Sequence, residues 1–318
     1  ALGLILWLYE NDIKLSEQYI SSKFKNKPDI LKGNIEALRA GYSYGETVEL
    51  PFGITQTLIP KASMKKGSYK TITGAEAISM AIQVGTKLAK INTLFCSYPI
   101  TPASPILHYL SKNSLQEVNT FQAEDEISAC CAALGASYAG NLGIASSSGP
   151  GIALKSEAMG LAVMTELPLL VINSQRAGPS TGMPTRTEQS DLFQAMYGRS
   201  GEAPLCVLAP ATPADCFKVT LEAIRIAIKF MSTVILLTDG FLANASEPWR
   251  IPSTKNFKYF PVKFYDDIDN FSPYKRDSKT LARPWVKPGT KGLEHRIGGL
   301  EKNNLSGDIS YDDKNHEI

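Results

Sequence analysis

Three side chains of this sequence could act together on a small organic acid. Thr101 stands between Pro99 and Pro102 in CSYPITPASP, where proline restricts the backbone, so its hydroxyl is offered from a stiff stretch of chain. Arg176 follows the apolar run LPLLVINS, and a guanidinium can hold a carboxylate through two parallel hydrogen bonds. Glu126 lies in AEDEISACC, where one desolvated acid would need a partner such as the ring nitrogen of a cofactor.

Each of these features also has a simpler interpretation. Glu124 and Asp125 suit the first turn of a helix because acids complement the helix dipole. Arg176 could form a loop-stabilising ion pair, and Arg186 is interpreted as a structural or rim residue. The turn SSSGPG at 146–151 offers backbone N–H groups to an anion or lets a ligand ring approach the backbone. It is neither a dinucleotide-binding motif nor a P-loop, so it identifies no ligand alone.

The sequence around these residues predicts a doubly wound, mostly parallel α/β sheet. Between 71 and 250, short apolar runs alternate with helical patterns, which is typical of parallel strands joined by crossover helices. Five or six strands are expected. Thr73, in the capping box TGAE, and Ser104 are the predicted N-caps of two of the helices. The helix DEISACCAALGASYAG has so little bulk that neighbouring backbones could pack closely on it.

Ligands of such sheets bind beyond the carboxyl ends of the strands. Thr101, Glu126, the turn at 148–151 and Arg176 all fall at these ends in the predicted arrangement. The long polar loop QRAGPSTGMPTRTEQSD follows one of the strands, and loops of this length in compact domains are commonly functional. A site is therefore predicted at this edge of the sheet.

The segments on either side of the predicted sheet are of different kinds. Residues 1–45 are predicted to be helical, and 46–70, with two prolines and two glycines, to be a linker. Residues 251–318 have no sustained periodicity and many turn formers, so an extended, coil-rich tail that wraps the core or a partner is expected.

Composition excludes several classes of function. A net charge of +2 with 20% charged residues gives no case for a nucleic-acid partner. Five cysteines without a CxxC pair are typical of reduced, buried thiols in a cytosolic protein, and three scattered histidines complete no metal-ligand set. Charged residues interrupt the first apolar run well before the roughly 20 residues of a membrane span. No metal, cluster, membrane or nucleic acid is expected to be bound by this chain.

The motifs together resemble one known family. YPITPASP, AEDEISA, SSSGPG, QRAGPSTGMPTRTEQSD with GEAP, TDGFLANASEPWRIP and LARPWVKPGTKGLEHRIGGLEK are similar to the α subunit of 2-oxoacid:ferredoxin oxidoreductases, close to the 2-oxoglutarate type. Residues 1–45 resemble the end of the γ domain that many of these subunits carry in front. Residues 71–250 then correspond to the pyrimidine-binding module of the thiamine diphosphate fold. We expect the chain to be truncated at both ends relative to fused members.

The resemblance implies oxidative decarboxylation of a 2-oxo acid, transfer of the acyl group to coenzyme A, and electron transfer to ferredoxin. It gives Glu126 the aminopyrimidine N1′ of thiamine diphosphate as its partner. It gives Thr101 and Arg176 the substrate carboxylate. The residues it places against the cofactor are Tyr98, Pro99, Ile100, Glu126, Ser148 and Gly149.

The resemblance also implies a partner subunit. The family's GDG with a following asparagine, which holds Mg²⁺ and diphosphate, has no counterpart here, since TDG at 238–240 lacks both parts. A β subunit is therefore expected to hold the Mg²⁺, the diphosphate and a [4Fe-4S] cluster. The complex is expected in the cytoplasm. Two alternatives stay open: a subunit of a non-oxidative thiamine-dependent 2-oxo acid decarboxylase, or a non-catalytic scaffold. The sequence does not choose among 2-oxoglutarate, pyruvate and branched-chain oxo acids.

Overall fold

The structure, a computed structural model, describes residues 1–48 and 63–316. The chain forms two compact units, Ala1–Lys66 and Gly67–Ile318. The predicted linker at 46–70 lies mainly outside the described residues.

The first unit is helical, with α1 Leu2–Leu8, α2 Lys14–Lys23 and α3 Pro28–Thr47. Glycine allows α1 to touch α3, since a Cβ added to Gly3 would lie 2.0 Å from the carbonyl oxygen of Leu38. A Cβ on Gly45 would lie 2.4 Å from the indole ring of Trp7. The two helices therefore pack closely, against backbone at Gly3 and against a side chain at Gly45. The assignment of this unit to the end of a γ-type domain stays a prediction.

The second unit carries all the strands of the described chain and eight of its α-helices. The strands are β1 Tyr69–Thr73, β2 Thr93–Ser97, β3 Val118–Gln122, β4 Leu142–Ser147, β5 Leu169–Gln175, β6 Cys206–Leu208, β7 Thr233–Asp239 and β8 Ser246–Arg250. The helices are α4 Gly74–Ala89, α5 Ser104–Lys112, α6 Glu126–Tyr138, α7 Gly149–Ala153, α8 Ser156–Thr165, α9 Leu192–Tyr197, α10 Asp215–Phe230 and α11 Gly240–Asn244.

Six strands form one parallel sheet in the order β3-β2-β4-β5-β7-β6. The predicted doubly wound α/β fold is confirmed. The chain runs outward from β2 to β3 and then returns to the other side of β2 with β4, so the strand order reverses between β2 and β4. Such a reversal opens a crevice at the carboxyl ends of the two strands. A separate antiparallel ribbon pairs β1 with β8.

Helices cover both faces of the sheet, and the strands bury both sets of side chains. On one side Ile144, Leu170 and Leu236 pack with α4, α5 and α10. On the other side Ala145, Val171 and Leu237 pack with α6 and α8. A strand buried on both faces needs near-continuous apolar residues, which explains the unbroken runs in β5 and β7.

Helix α6 lies unusually close to β4. A Cβ on Gly143 would lie 1.9 Å from the carbonyl oxygen of Ala133, so only glycine permits this approach. The Ser137 hydroxyl accepts from the backbone N–H of Gly143 at 3.0 Å and donates to the carbonyl of Pro168. The small residues of this helix thus bring its backbone onto the sheet, as their composition predicts.

Of the two predicted caps, one is confirmed and one is wrong by a residue. The Thr73 hydroxyl accepts from the N–H of Glu76 at 3.3 Å, which caps α4. At α5 the cap position is Ala103, and Ser104 is the first helical residue. The Ser104 hydroxyl instead bonds back to both backbone groups of Ile100, at 2.9 and 3.0 Å. It ties the preceding loop rather than the helix.

The residues after β8 follow an extended course with two short 3-10 turns, Thr254–Asn256 and Asp313–His316. Their anchor is the carboxyl end of α8. Arg283 donates from Nε to the carbonyl of Thr165 at 3.0 Å, and Lys302 donates from Nζ to that of Met164 at 2.7 Å. Arg276 pairs with Glu166. Cations at a helix carboxyl end complement its dipole, so these contacts fasten the tail.

We expect Arg283→Met to lower the free energy of unfolding by about 1.5–3 kcal/mol, because hydrogen bonds to a charged group contribute about that much. The loss would be read from chemical denaturation of the purified chain. Arg250→Met, at an exposed arginine, is the matched control and should change little. An equal loss in both variants would contradict the proposed anchoring of the tail.

Candidate active site

The loop after β2 presents the predicted threonine at the reversal of strand order. Tyr98, Pro99 and Thr101 are exposed, and Ile100 is half-buried. The Ser104 hydroxyl holds the N–H and carbonyl of Ile100, and the N–H of Ala103 donates to the same carbonyl at 2.9 Å. The loop is therefore pinned one residue before the exposed Thr101.

Arg176, at the carboxyl end of β5, reaches this loop. Its side chain is only 6% exposed, and Nη1 donates to the carbonyl of Thr101 at 2.9 Å. Nε is buried without a hydrogen-bond partner, and no described carboxylate lies within ion-pair distance of this guanidinium. Within the described residues Arg176 therefore forms no ion pair, contrary to the simpler interpretation of this residue. The guanidinium braces the threonine loop and keeps donors for a further acceptor.

Glu126 is the first residue of α6 and lies against α7. A Cβ on Gly151 would lie 3.1 Å from Glu126 Oε1 and 2.1 Å from the Ser147 hydroxyl, so α7 approaches α6 as closely as glycine allows. Asp125 is the N-cap, since its carboxylate accepts from the N–H of Ser128 at 2.6 Å. Glu124 is exposed and Glu126 is half-buried. The sequence predicts one desolvated acid here, whereas Glu126 keeps part of its surface exposed. A composition of small residues governs how a helix packs, not how exposed its first turn is.

Polar atoms without partners gather at the carboxyl ends of the central strands. Within the described residues, the hydroxyls of Ser147 at the end of β4, of Ser148 directly after it and of Ser174 in β5 are buried without a hydrogen bond. A buried hydroxyl with no partner costs about 1–3 kcal/mol. Such atoms, together with the glycine cradle at Gly151, suit a ligand that brings its own donors and acceptors.

The long loop after β5 folds back over the same edge. Asn173 donates to the Asp191 carboxylate at 2.9 Å, and the N–H of Asp191 donates to the Gln175 side chain at 3.0 Å. Gln189 donates to Asp239 at 2.7 Å, whose other oxygen caps α11. Polar contacts thus close the loop on the ends of β5 and β7. Arg186 is exposed on it, in keeping with a rim position.

Sequence reasoning missed Lys155, between α7 and α8. Its side chain is 0% exposed, and Nζ has no hydrogen-bond partner among the described residues. Burial lowers the pKa of Lys155, and electrostatic interactions with Cys130, Glu126, Asp125 and Cys96 oppose this shift. A signal was present, because the residues at i−3, i+3, i+4 and i+7 are all apolar and buried. They are Ile152, Ala158, Met159 and Ala162.

The thiols beside this lysine are neutral. Burial raises the pKa of Cys96 and of Cys130 to about 12. All five cysteines are free; Cys131 is exposed, against the expectation of burial. Among the described residues no three His, Cys, Asp or Glu side chains come together to hold a metal, and none of the helices is long and apolar enough to cross a bilayer.

A parallel sheet with a glutamate, a buried arginine and unpaired hydroxyls at its reversal point defines a cofactor-binding α/β module. The sequence profile described as "Pyruvate flavodoxin/ferredoxin oxidoreductase, thiamine diP-bdg" matches residues 85–310, and the chain belongs to this family. The predicted family and its thiamine diphosphate-binding fold are confirmed.

Two relatives and one solved structure are similar to this chain. The 2-oxoglutarate oxidoreductase subunit KorA of Mycobacterium tuberculosis is 56% identical over 318 residues, which is 100% of this chain and 48% of the relative. The 2-oxoglutarate synthase subunit KorA of Archaeoglobus fulgidus is 43% identical over 66% of this chain and 57% of its own length. The 2-oxoglutarate:ferredoxin oxidoreductase from Magnetococcus marinus, with 2-oxoglutarate, coenzyme A and succinyl-CoA bound, has a TM-score of 0.82 and 32% identity. The match covers 99% of this chain and 54% of that one. The chain spans about half the length of these proteins.

We expect Gly151→Ala to lower the free energy of unfolding by about 1–3 kcal/mol, because the new methyl group overlaps Ser147 and displaces Glu126. Gly160→Ala in α8 is the control: a Cβ there has nothing within 4 Å, and a helical glycine replaced by alanine gains about 0.5–1 kcal/mol. Denaturant titration of both variants measures the difference. Equal stability of the two would contradict the close approach of α7 to α6.

Proposed function

We propose that the chain is part of the α subunit of a 2-oxoacid:ferredoxin oxidoreductase that uses 2-oxoglutarate. The observation that carries this proposal is the bond between Arg176 and the Thr101 carbonyl, which joins two predicted substrate-binding residues on the crevice that also holds Glu126. The two relatives are subunits of a 2-oxoglutarate oxidoreductase and a 2-oxoglutarate synthase, and the similar solved structure has 2-oxoglutarate bound, which supports this substrate. The reaction is oxidative decarboxylation with acyl transfer to coenzyme A and electrons to ferredoxin, in the cytoplasm.

In this proposal Glu126 receives the aminopyrimidine N1′ of thiamine diphosphate, a cofactor that supplies a stabilised carbanion when bound. Ser147 and Ser148 suit that ring because their buried hydroxyls have no partner among the described residues, and beside them the Cβ position of Gly149 is open, with only the Asp191 carboxylate within 4 Å. Tyr98, Pro99, Ile100 and Gly149 complete the wall of the site. Glu126 orients the ring and shares a proton at N1′, and the loops after β2 and β5 exclude water from one side.

The substrate is held from the other side of the crevice. Arg176 carries an unpaired Nε and further N–H donors, and Thr101, whose backbone carbonyl it holds, is an exposed residue with a hydroxyl group. Both are donors, which suits a carboxylate. The brace from Arg176 to the Thr101 backbone fixes the distance between them, and misplacement by 1 Å at a reacting centre can cost about a hundredfold in rate.

The remaining parts of the reaction belong to a β subunit in this proposal. It holds Mg²⁺, the diphosphate and a [4Fe-4S] cluster and receives the electrons that pass to ferredoxin. Co-expression of the full-length α subunit with its β partner, followed by viologen reduction with a panel of 2-oxo acids and coenzyme A, tests the assignment. Fastest reduction with 2-oxoglutarate is expected. Decarboxylation without viologen reduction would favour a non-oxidative enzyme, and no turnover of any oxo acid would favour a scaffold.

For Arg176→Ala we expect the KM for the oxo acid to rise by at least about tenfold, because a charge-assisted hydrogen bond to the carboxylate is lost. Thiamine diphosphate should still bind. Arg186→Ala, at an exposed arginine of the same loop, is the control and should leave KM unchanged. Unchanged saturation by the oxo acid in Arg176→Ala would show that this residue is not the carboxylate anchor.

For Glu126→Ala we expect turnover to fall by about 10²–10⁴-fold, the usual contribution of a positioned acid or base, with a smaller loss of cofactor affinity. Steady-state kinetics and calorimetric titration of the cofactor separate the two effects. The exposed neighbour Glu124→Ala is the matched control. Losses of equal size in turnover and affinity would make Glu126 a structural acid.

A further inference from the structure

The core of the second unit contains a lysine side chain with no part in the proposed binding of cofactor or substrate. Lys155 is fully buried, and its Nζ has no hydrogen-bond partner in the described part of the chain. Burying an unpaired ammonium group is costly, so such a group is retained where something depends on its charge.

Lys155 follows, by about one helical turn, the glycine that meets Glu126. Glu126 and Cys130 are four residues apart on α6 and so share a face, and Gly151 and Lys155 are four residues apart along α7 and the turn that follows it. Gly151 meets Glu126 across the contact between these elements, with its Cβ position 3.1 Å from Oε1. Cys130 and Lys155, each one turn further along, are both fully buried, and each influences the pKa of the other electrostatically.

Four described side chains influence the pKa of Lys155 electrostatically: Cys130 and Glu126 on α6, Asp125 at its N-cap, and Cys96 near the end of β2. Of these, only the two carboxylates are candidate anions. Both thiols are neutral, because burial raises their pKa to about 12. Asp125 is engaged in capping α6 through Ser128. Glu126 has no such engagement, so it is the acid left to balance the charge of Lys155.

We propose that Lys155 is a positioning residue for Glu126: its buried ammonium group attracts the carboxylate and holds it oriented toward the crevice at the carboxyl ends of β2 and β4. The inference rests on the proposed function, in which Glu126 receives the aminopyrimidine ring of thiamine diphosphate. Lys155 touches neither cofactor nor substrate and acts only through Glu126.

A double-mutant cycle in the full-length αβ complex, stripped of cofactor, tests this role. Thiamine diphosphate with Mg²⁺ is titrated by calorimetry into the parent, Lys155→Met, Glu126→Gln and the double variant. Lys155→Met should raise the Kd by about tenfold, since bonds to charged groups contribute on that scale. In the Glu126→Gln background the same change should have no effect, because the interaction it removes is already absent.

The fold is checked by thermal unfolding of the cofactor-free complex. Lys155→Met should raise the melting temperature, because it replaces an unpaired buried amine with an apolar side chain of similar length. Lys302→Met is the matched control: its Nζ donates to the Met164 carbonyl, so the melting temperature should fall while the Kd stays that of the parent.

A second measurement needs no lysine variant. Because burial lowers the pKa of Lys155, its charge is lost at lower pH than that of an exposed lysine. Cofactor affinity of the parent should therefore weaken as the pH rises into the alkaline range, and that of Glu126→Gln should not.

The outcomes separate the inference from the proposed function. An equal loss of affinity on Lys155→Met in both backgrounds, no loss in either, or the same alkaline weakening in the parent and in Glu126→Gln, would overturn the role of Lys155. If Glu126→Gln alone changed neither turnover nor Kd, the proposed function itself would be wrong.

Discussion

The site depends on how closely α6 lies against the sheet and against α7. At two positions, Gly143 and Gly151, a single added carbon would collide with the neighbouring backbone or with Ser147. This approach brings the first turn of α6, with Glu126, to the carboxyl ends of β2 and β4. Because the strand order reverses between these strands, the same two ends diverge and leave room for a ligand. Tight packing below the site and an opening above it thus have one cause.

The two sides of the crevice are held by buried cations in different ways. Arg176 donates one hydrogen bond to the Thr101 carbonyl and so fixes a loop, while its Nε has no partner among the described residues. Lys155 has no hydrogen bond among the described residues and acts through charge alone. Buried polar groups without partners lower stability, and proteins accept this cost where function needs it. By contrast, Arg283 and Lys302 donate to backbone carbonyls at the carboxyl end of α8.

Much of the fold and part of the site could be predicted from local sequence signals. Strands buried on both faces are continuous apolar runs, and helices carry caps such as Thr73, so the alternation is readable along the chain. Strand-end placement then brought Thr101, Glu126 and Arg176 to one edge. The sequence did not predict a buried Lys155, because a lysine is normally a surface residue and only its spacing to buried neighbours marks it as internal. The partner of Arg176 is a backbone carbonyl, which no side-chain pattern can encode.

The central claim is that Glu126, Thr101 and Arg176 surround one thiamine ring and its oxo acid. A structure of the full-length αβ complex with thiamine diphosphate, Mg²⁺ and 2-oxoglutarate tests it most directly. The account predicts the Glu126 carboxylate within hydrogen-bonding distance of N1′ of the aminopyrimidine, and the Arg176 guanidinium and Thr101 hydroxyl on a substrate carboxylate. A cofactor ring bound away from Gly151, or a substrate carboxylate out of reach of Arg176, would contradict it.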